Sequence, residues 1–153
     1  MNILVLFWAT VAGTHITIDE MDPDLLTGWN FEDYDAPYLI GRMEQLGVST
    51  NRMARKDGSV NLSGSGWADV QEFGGRTVYD LLSAYKDTKR SELQSYRLDA
   101  VAQVELDDAK IEHSDMGYHE MWQENPIKFL NYNAKDTLLT VGINKEAGVI
   151  GFK

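Results

Sequence analysis

Hydrophobic positions change their period several times along this chain, and each change predicts an element. Residues 3–12 form a continuous apolar run whose Ile, Val, Leu and Phe content reads as a strand. Turn chemistry begins at Asp22 and Pro23, and Leu25, Leu26 and Trp29 then predict a short buried strand. From Ala36 onward, Leu39, Met43 and Leu46 recur at helical spacing, and Gly47 supplies a C-terminal stop. Residues 49–66 are polar and rich in Gly and Ser, which reads as an exposed loop or loose hairpin.

Farther on, "GRTVYDLL" (75–82) predicts a strand from Arg76 to Tyr79 running into a helix. "KDTKRSELQSYR" (86–97) is a charged connector, and Leu98, Val101, Ala102 and Leu106 then share one helical face. In the last predicted helix Asn125 is the N-cap and Pro126 the first helical residue. Its apolar stripe reads as Leu130, Ala134, Leu138 and Val141, continuing to about Ala147, with Gly148 as the stop. Strands alternate with helices, so the fold class is α/β. There is no internal repeat or linker, and residues 1–153 are read as a single domain.

Composition narrows the chemistry. The chain contains no cysteine, which excludes disulfides, thiolate catalysis and zinc–thiolate sites. A net charge of −10 opposes direct attraction to phosphate. Divalent metals bridging carboxylates to phosphate would reconcile that charge with a nucleic-acid role, and acidic surfaces also suit work in high salt. The opening "MNILVLFWATVAG" lacks a basic segment and is shorter than the ~20 residues of a membrane span. A strand is therefore expected there, with no membrane partner and a cytoplasmic location.

Two acidic positions stand out. Asp35 precedes a helical pattern, where an N-cap is the simple explanation and a metal ligand the alternative. Tyr132 and Asp136 are four residues apart, which places them on one helical face. They read either as an amphipathic tyrosine beside a solvated charge, or as a metal-holding carboxylate beside a phenol that orients water. His15, His113 and His119 lack ligand spacing and read as structural or surface residues. Arg52, Arg55 and Lys56 form one basic cluster and Lys86, Lys89, Arg90 and Arg97 another; solvated surface is the simpler reading and phosphate contact the alternative. Trp29 and Tyr38 read as core residues rather than base-stacking platforms.

Together these residues carry a resemblance. "DPDLLTGWNFEDYDAPYLIGR" resembles the second exonuclease motif of family-B DNA polymerases. "GRTVYDLLSAYK", "SYRLDAVAQVEL" and "YNAKDTLLTVGI" are similar, in order, to the segments that follow it, the last matching the third motif, Tyr-x-x-x-Asp. The likeness runs over roughly residues 20–152. It implies a ribonuclease H-like fold and a 3′–5′ proofreading exonuclease that hydrolyses a DNA 3′ end with two Mg²⁺ or Mn²⁺ ions. It further implies that Asp35 and Asp136 are metal ligands, that Tyr132 orients the nucleophilic water, and that Asn30 and Phe31 line the primer end. The implied partners are a single-stranded DNA 3′ end and the remaining polymerase chain. The acidic composition suits a haloarchaeal or haloarchaeal-virus branch.

The family's first motif, Asp-x-Glu on an early strand, has no match here. "TIDEMD" fails because residue 21 is Met, and Asp19 lies only 16 residues before Asp35. The expectation is an exonuclease fold lacking its first strands, which begins after the first motif and needs carboxylates from elsewhere. Two alternatives are a catalytically inactive ribonuclease H-like module that binds DNA or a polymerase, and a self-standing nuclease using Asp19 or Glu20 as substitute ligands.

Overall fold

A computed structural model describes residues 3–5, 18–55, 59–63, 69–89, 92–108 and 118–151. The chain divides into two compact units, residues 1–84 and 85–153. Strands β1 (Ile3–Val5), β2 (Leu25–Gly28), β3 (Val60–Ser63), β4 (Asp69–Phe73) and β5 (Thr77–Asp80) belong to the first unit. So do a π-helical turn (Phe31–Asp35), helix α1 (Ala36–Gln45) and a 3₁₀ turn (Thr50–Met53). Helix α2 (Leu81–Thr88) spans the boundary, and α3 (Leu98–Leu106), α4 (Tyr118–Glu124) and α5 (Pro126–Ala147) make up the second unit.

In the first unit β1, β2 and β5 form a parallel sheet with β2 at its centre. All four residues of β2 are buried, as expected of a strand with parallel neighbours on both edges. The register pairs Leu26 with Val78 and Gly28 with Asp80, and the Thr27 hydroxyl donates to the Tyr79 carbonyl. Strands β3 and β4 form a separate antiparallel hairpin. The core gathers Ile18, Leu26, Phe31, Leu39, Ile40, Met43, Met53 and Phe73. Helix α1 begins at Ala36 as predicted and ends with Gly47 at φ +67, where Val48 N–H donates to Met43 O and Gly47 N–H to Glu44 O. That pair of bonds is a Schellman stop, and it carries Val48 back onto the core.

The polar run 49–66 resolves into the 3₁₀ turn and the first arm of the hairpin, and the second arm, β4, had no signal in the hydrophobic pattern. The predicted strand over 3–12 is described only at Ile3–Val5; its remainder lies outside the described residues. The predicted strand at 76–79 is β5, displaced by one residue.

In the second unit α3 and α4 pack against α5. Buried Leu98, Val101 and Ala102 confirm the face predicted for α3. A Cβ at Gly142 would stand 2.8 Å from Leu106 Cδ1, so this glycine allows α3 and α5 to approach closely. The ends of α5 are also as predicted: the Asn125 side chain accepts the Lys128 N–H at 3.0 Å, Pro126 opens the helix, and Gly148 closes it at φ +63. Its predicted apolar stripe is corrected. Leu130 and Leu138 are 56% and 67% exposed, and Ala134 is exposed as well. The buried face instead carries Tyr132, Asp136, Leu139, Thr140 and Ile143. Choosing the most apolar run picked the wrong side of the helix, because two of the five buried residues there are polar. No helix among the described residues is long and apolar enough to cross a membrane.

Candidate functional site

The first part of the candidate site is built where β2 leaves the sheet. Trp29 is buried, and Asn30 then turns the chain at φ +64 and ψ +37, a left-handed conformation that asparagine tolerates. The π-helical turn follows, with Tyr34 N–H donating to Asn30 O at 3.1 Å and Ala36 N–H donating to Phe31 O. Such turns recur at functional sites because they re-aim side chains within an otherwise regular helix. Phe31 is fully buried in the core, so it anchors the turn from below. Asn30 is half-buried.

Asp35 has helical backbone angles, φ −68 and ψ −43, and its carboxylate makes no capping bond to α1. An N-cap needs a non-helical backbone and a side chain bonded to the first turn, so capping does not account for Asp35. The side chain is only 6% exposed. A carboxylate withdrawn from water this far is costly unless surrounding groups or a cation compensate.

Asp80, which the sequence reading passed over, lies at the end of β5 opposite Gly28. It is buried, and its two oxygens accept different backbone donors: Oδ2 takes Glu32 N–H at 3.1 Å and Oδ1 takes Ser83 N–H at 2.9 Å. A signal for the second bond was legible, since Asp80 directly precedes a predicted helix with Ser83 three residues on. The first spans 48 residues and had none. Partial desolvation, and then the charges of Asp80 and Asp33, hold the Glu32 carboxyl above the usual glutamate range. Tyr34 and Tyr38 flank Asp35 in sequence and both are exposed, so the core reading of Tyr38 is corrected. Its side chain falls on the outer face of α1, whose inner face is Leu39, Ile40 and Met43.

In the second unit Tyr132 and Asp136 lie one turn apart on the buried face of α5, with Asp136 at 0% exposure. The alternative of a solvated helix charge is therefore excluded. Thr140, also buried, donates its hydroxyl to the Asp136 carbonyl at 2.9 Å, one further turn along the same face. Asn30, Phe31 and Asp35 thus share one turn, and Tyr132 and Asp136 share one helix face.

The described members of the two basic clusters are engaged with other side chains. Arg52 pairs with Asp19 at 2.7 Å, and Arg55 with Asp22 at 3.0 Å and Asp24 at 2.6 Å. Arg76, whose side chain is 4% exposed, pairs with Asp22 at 2.9 Å and donates to Met53 O at 3.1 Å and to the Pro23 carbonyl. The arginine bond of Arg55, opposed by desolvation and reinforced by Arg76, holds the Asp22 carboxyl below the usual aspartate range. A guanidinium at 2.7 Å competes directly with a divalent cation for Asp19, which weighs against its use as a substitute ligand. In the second basic cluster Lys86 lies over the Tyr96 ring, 5.2 Å from its centroid, and Lys89 pairs with Glu105 at 2.9 Å. Arg97 stands 3.6 Å from Asp99. Lys56, Arg90, His15 and His113 lie outside the described residues, as does the side chain of His119.

Buried carboxylate oxygens are the donors a hard divalent ion prefers, so the chemistry of Asp35 and Asp136 suits Mg²⁺ or Mn²⁺. Among the described residues no three His, Cys, Asp or Glu side chains are grouped so as to hold a metal ion.

Comparison with known proteins gives the chain a family. The family model for the exonuclease domain of DNA polymerase family B matches residues 13–101, more than half of the chain. The DNA-directed DNA polymerase of Enterobacteria phage T4 is 28% identical over 139 residues, covering 86% of this chain and 15% of the relative. A DNA polymerase of Thermococcus aggregans is 31% identical over 137 residues, covering 84% of this chain and 7% of its own length. The DNA polymerase delta catalytic subunit of Drosophila melanogaster is 35% identical over 111 residues, 63% of this chain and 10% of the relative. The chain thus spans a small fraction of the curated relatives it matches, and it belongs to the family of DNA polymerase family B exonuclease domains.

Proposed function

We propose that this chain is a 3′–5′ proofreading exonuclease domain of ribonuclease H-like fold whose sequence here contains no Asp-x-Glu metal-binding motif. The observation that carries the reading is the complete burial of Asp136 in the middle of α5, beside Tyr132. A buried acid costs stability unless it is hydrogen-bonded, paired or coordinated to a cation, and a metal-holding helix face is one setting that meets this need. Asp35 and Asp136 would each offer a carboxylate to a divalent cation, and such ions would supply water activation and leaving-group stabilisation. Tyr132 orients the nucleophilic water. Asn30 contacts the terminal nucleotide, and Phe31 lines the primer end through the backbone that its buried ring anchors. The partners are a single-stranded DNA 3′ end and the remaining polymerase chain.

A second reading, a catalytically inactive module that binds DNA or a polymerase, is favoured by one observation. The described residues contain no group of three metal-ligating side chains.

One assay separates the two. A 3′-labelled single strand is incubated with Mn²⁺ and excess protein, alone and mixed with a polypeptide supplying an Asp-x-Glu strand. The first reading expects weak or no hydrolysis alone and strong hydrolysis on mixing, lost in Asp136→Ala. No hydrolysis in the mixture, together with metal-independent DNA binding that survives Asp35→Ala, would overturn the first reading in favour of the second.

A further inference from the structure

Helical turns leave their first N–H groups without intrahelical partners, and the turn bearing Asp35 meets this need from a distance. Its entry residue, Asn30, provides no side-chain cap. The Glu32 N–H is instead accepted by Asp80 Oδ2 at 3.1 Å, across from β5. The parallel register places Asp80 opposite Gly28, two residues before the chain turns at Asn30. The other oxygen of the same carboxylate accepts Ser83 N–H at 2.9 Å and so caps the start of α2. Asp80 is buried, and both bonds are partly withdrawn from solvent. A single side chain therefore couples the end of the sheet, the start of α2 and the turn that ends in Asp35.

We infer that Asp80 is a positioning residue for the exonuclease site: by accepting the Glu32 N–H it fixes the turn from which Asp35 presents its carboxylate. The inference rests on the reading of Asp35 as a metal-binding carboxylate. The chemistry explains why an acid stands here. Two backbone donors arrive from different segments, and each needs its own acceptor oxygen. Asparagine offers one carbonyl oxygen and would turn its NH₂ group toward the second donor. Serine can reach Ser83 N–H, three residues on as in any N-cap, but is too short to bridge to Glu32. Asp80→Ser therefore keeps the cap on α2 and removes the tether to the turn.

The test compares wild type, Asp80→Ser, Asp80→Asn and Asp35→Ala by amide exchange and by Mn²⁺ titration, following paramagnetic broadening of the amides of residues 30–36. In Asp80→Ser the Glu32 amide should exchange faster while Ser83 stays protected, and Mn²⁺ affinity should fall roughly 10–100-fold, the range for loss of a group that orients a ligand. Asp80→Asn should fall between this variant and wild type, and it serves in its place should Asp80→Ser fail to fold. Unchanged Mn²⁺ affinity in the Asp80 variants, with loss in Asp35→Ala, overturns the positioning role alone. Unchanged affinity in Asp35→Ala overturns the reading of Asp35 as a ligand, and the inference with it.

Discussion

The turn at Asn30–Asp35 and the Tyr132–Asp136 face of α5 each withdraw a carboxylate from water, and they are held in place in opposite ways. The turn is irregular, begins at a left-handed asparagine, and depends on partners remote in sequence: Phe31 in a core assembled from five segments, and Asp80 forty-eight residues away. The α5 face is regular. Its spacing follows from helical geometry, and its ends are set by local signals, Asn125 and Pro126 before it and Gly148 after it. One of the two candidate clusters is thus a product of tertiary structure, while the other is written into a single element. Damage to the first unit's core should move Asp35 long before it moves Asp136.

The largest test of that contrast is Phe31→Ala. A fully buried phenylalanine truncated to alanine costs about 3–5 kcal/mol through lost burial and the cavity left behind. Denaturant unfolding should register that loss. Amide exchange should show protection falling across residues 31–36 while the middle of α5 keeps its own. Equal loss of protection in both places would break the contrast, because it would make α5 depend on the same core as the turn.

The same division decides what could be read from the sequence. Helix α1, helix α3, the strand-to-helix passage at 77–88 and both ends of α5 were legible because caps, stops and periods are local. The buried face of α5 was not. Helical period identifies sets of residues that share a face, but burial of polar Asp136 and Thr140 over apolar Leu130 and Leu138 is decided by what packs there. Strand β4 was missed because Asp69, Gln71 and Glu72 dilute its apolar pattern, and it is fixed by pairing with β3. Of the site, the positions of Asp35, Tyr132 and Asp136 came from motif resemblance. That Asp35 does not cap α1, and that Asp80 holds its turn, needed coordinates.

A smaller test addresses the local half. Replacing the Asn125 cap with alanine removes the acceptor for Lys128 N–H and should cost about 1 kcal/mol. Serine or aspartate at 125 should restore most of it. The loss should appear as faster exchange in the first turn of α5, leaving residues 31–36 untouched. Spread of the effect into that turn would contradict the local origin of the helix.

The smallest effect, and the one that separates the units by sign, is the response to pH. In the first unit two shifted carboxyls act in opposite directions. Asp22 is held below the ordinary aspartate value by Arg55 and Arg76, so its stabilising contribution is present above that value and is lost as pH falls through the lowered one. Glu32 is held above the ordinary glutamate value by desolvation, Asp80 and Asp33, so its contribution is full at lower pH and is lost as pH rises through the raised one. In the second unit burial pushes Glu105 up, but bonds from the Tyr85 hydroxyl and Lys89 outweigh it and hold its carboxyl low. That group loses stability only on the acid side. Denaturation midpoints followed separately by exchange, from about pH 3 to about pH 7, should therefore pass through a maximum for the first unit and rise to a plateau for the second. Glu32→Gln should remove the decline on the upper side of that maximum, and Asp22→Asn should flatten the acid side. A first unit that rises to a plateau in wild type would mean that neither desolvation nor the charges of Asp80 and Asp33 hold the Glu32 carboxyl up.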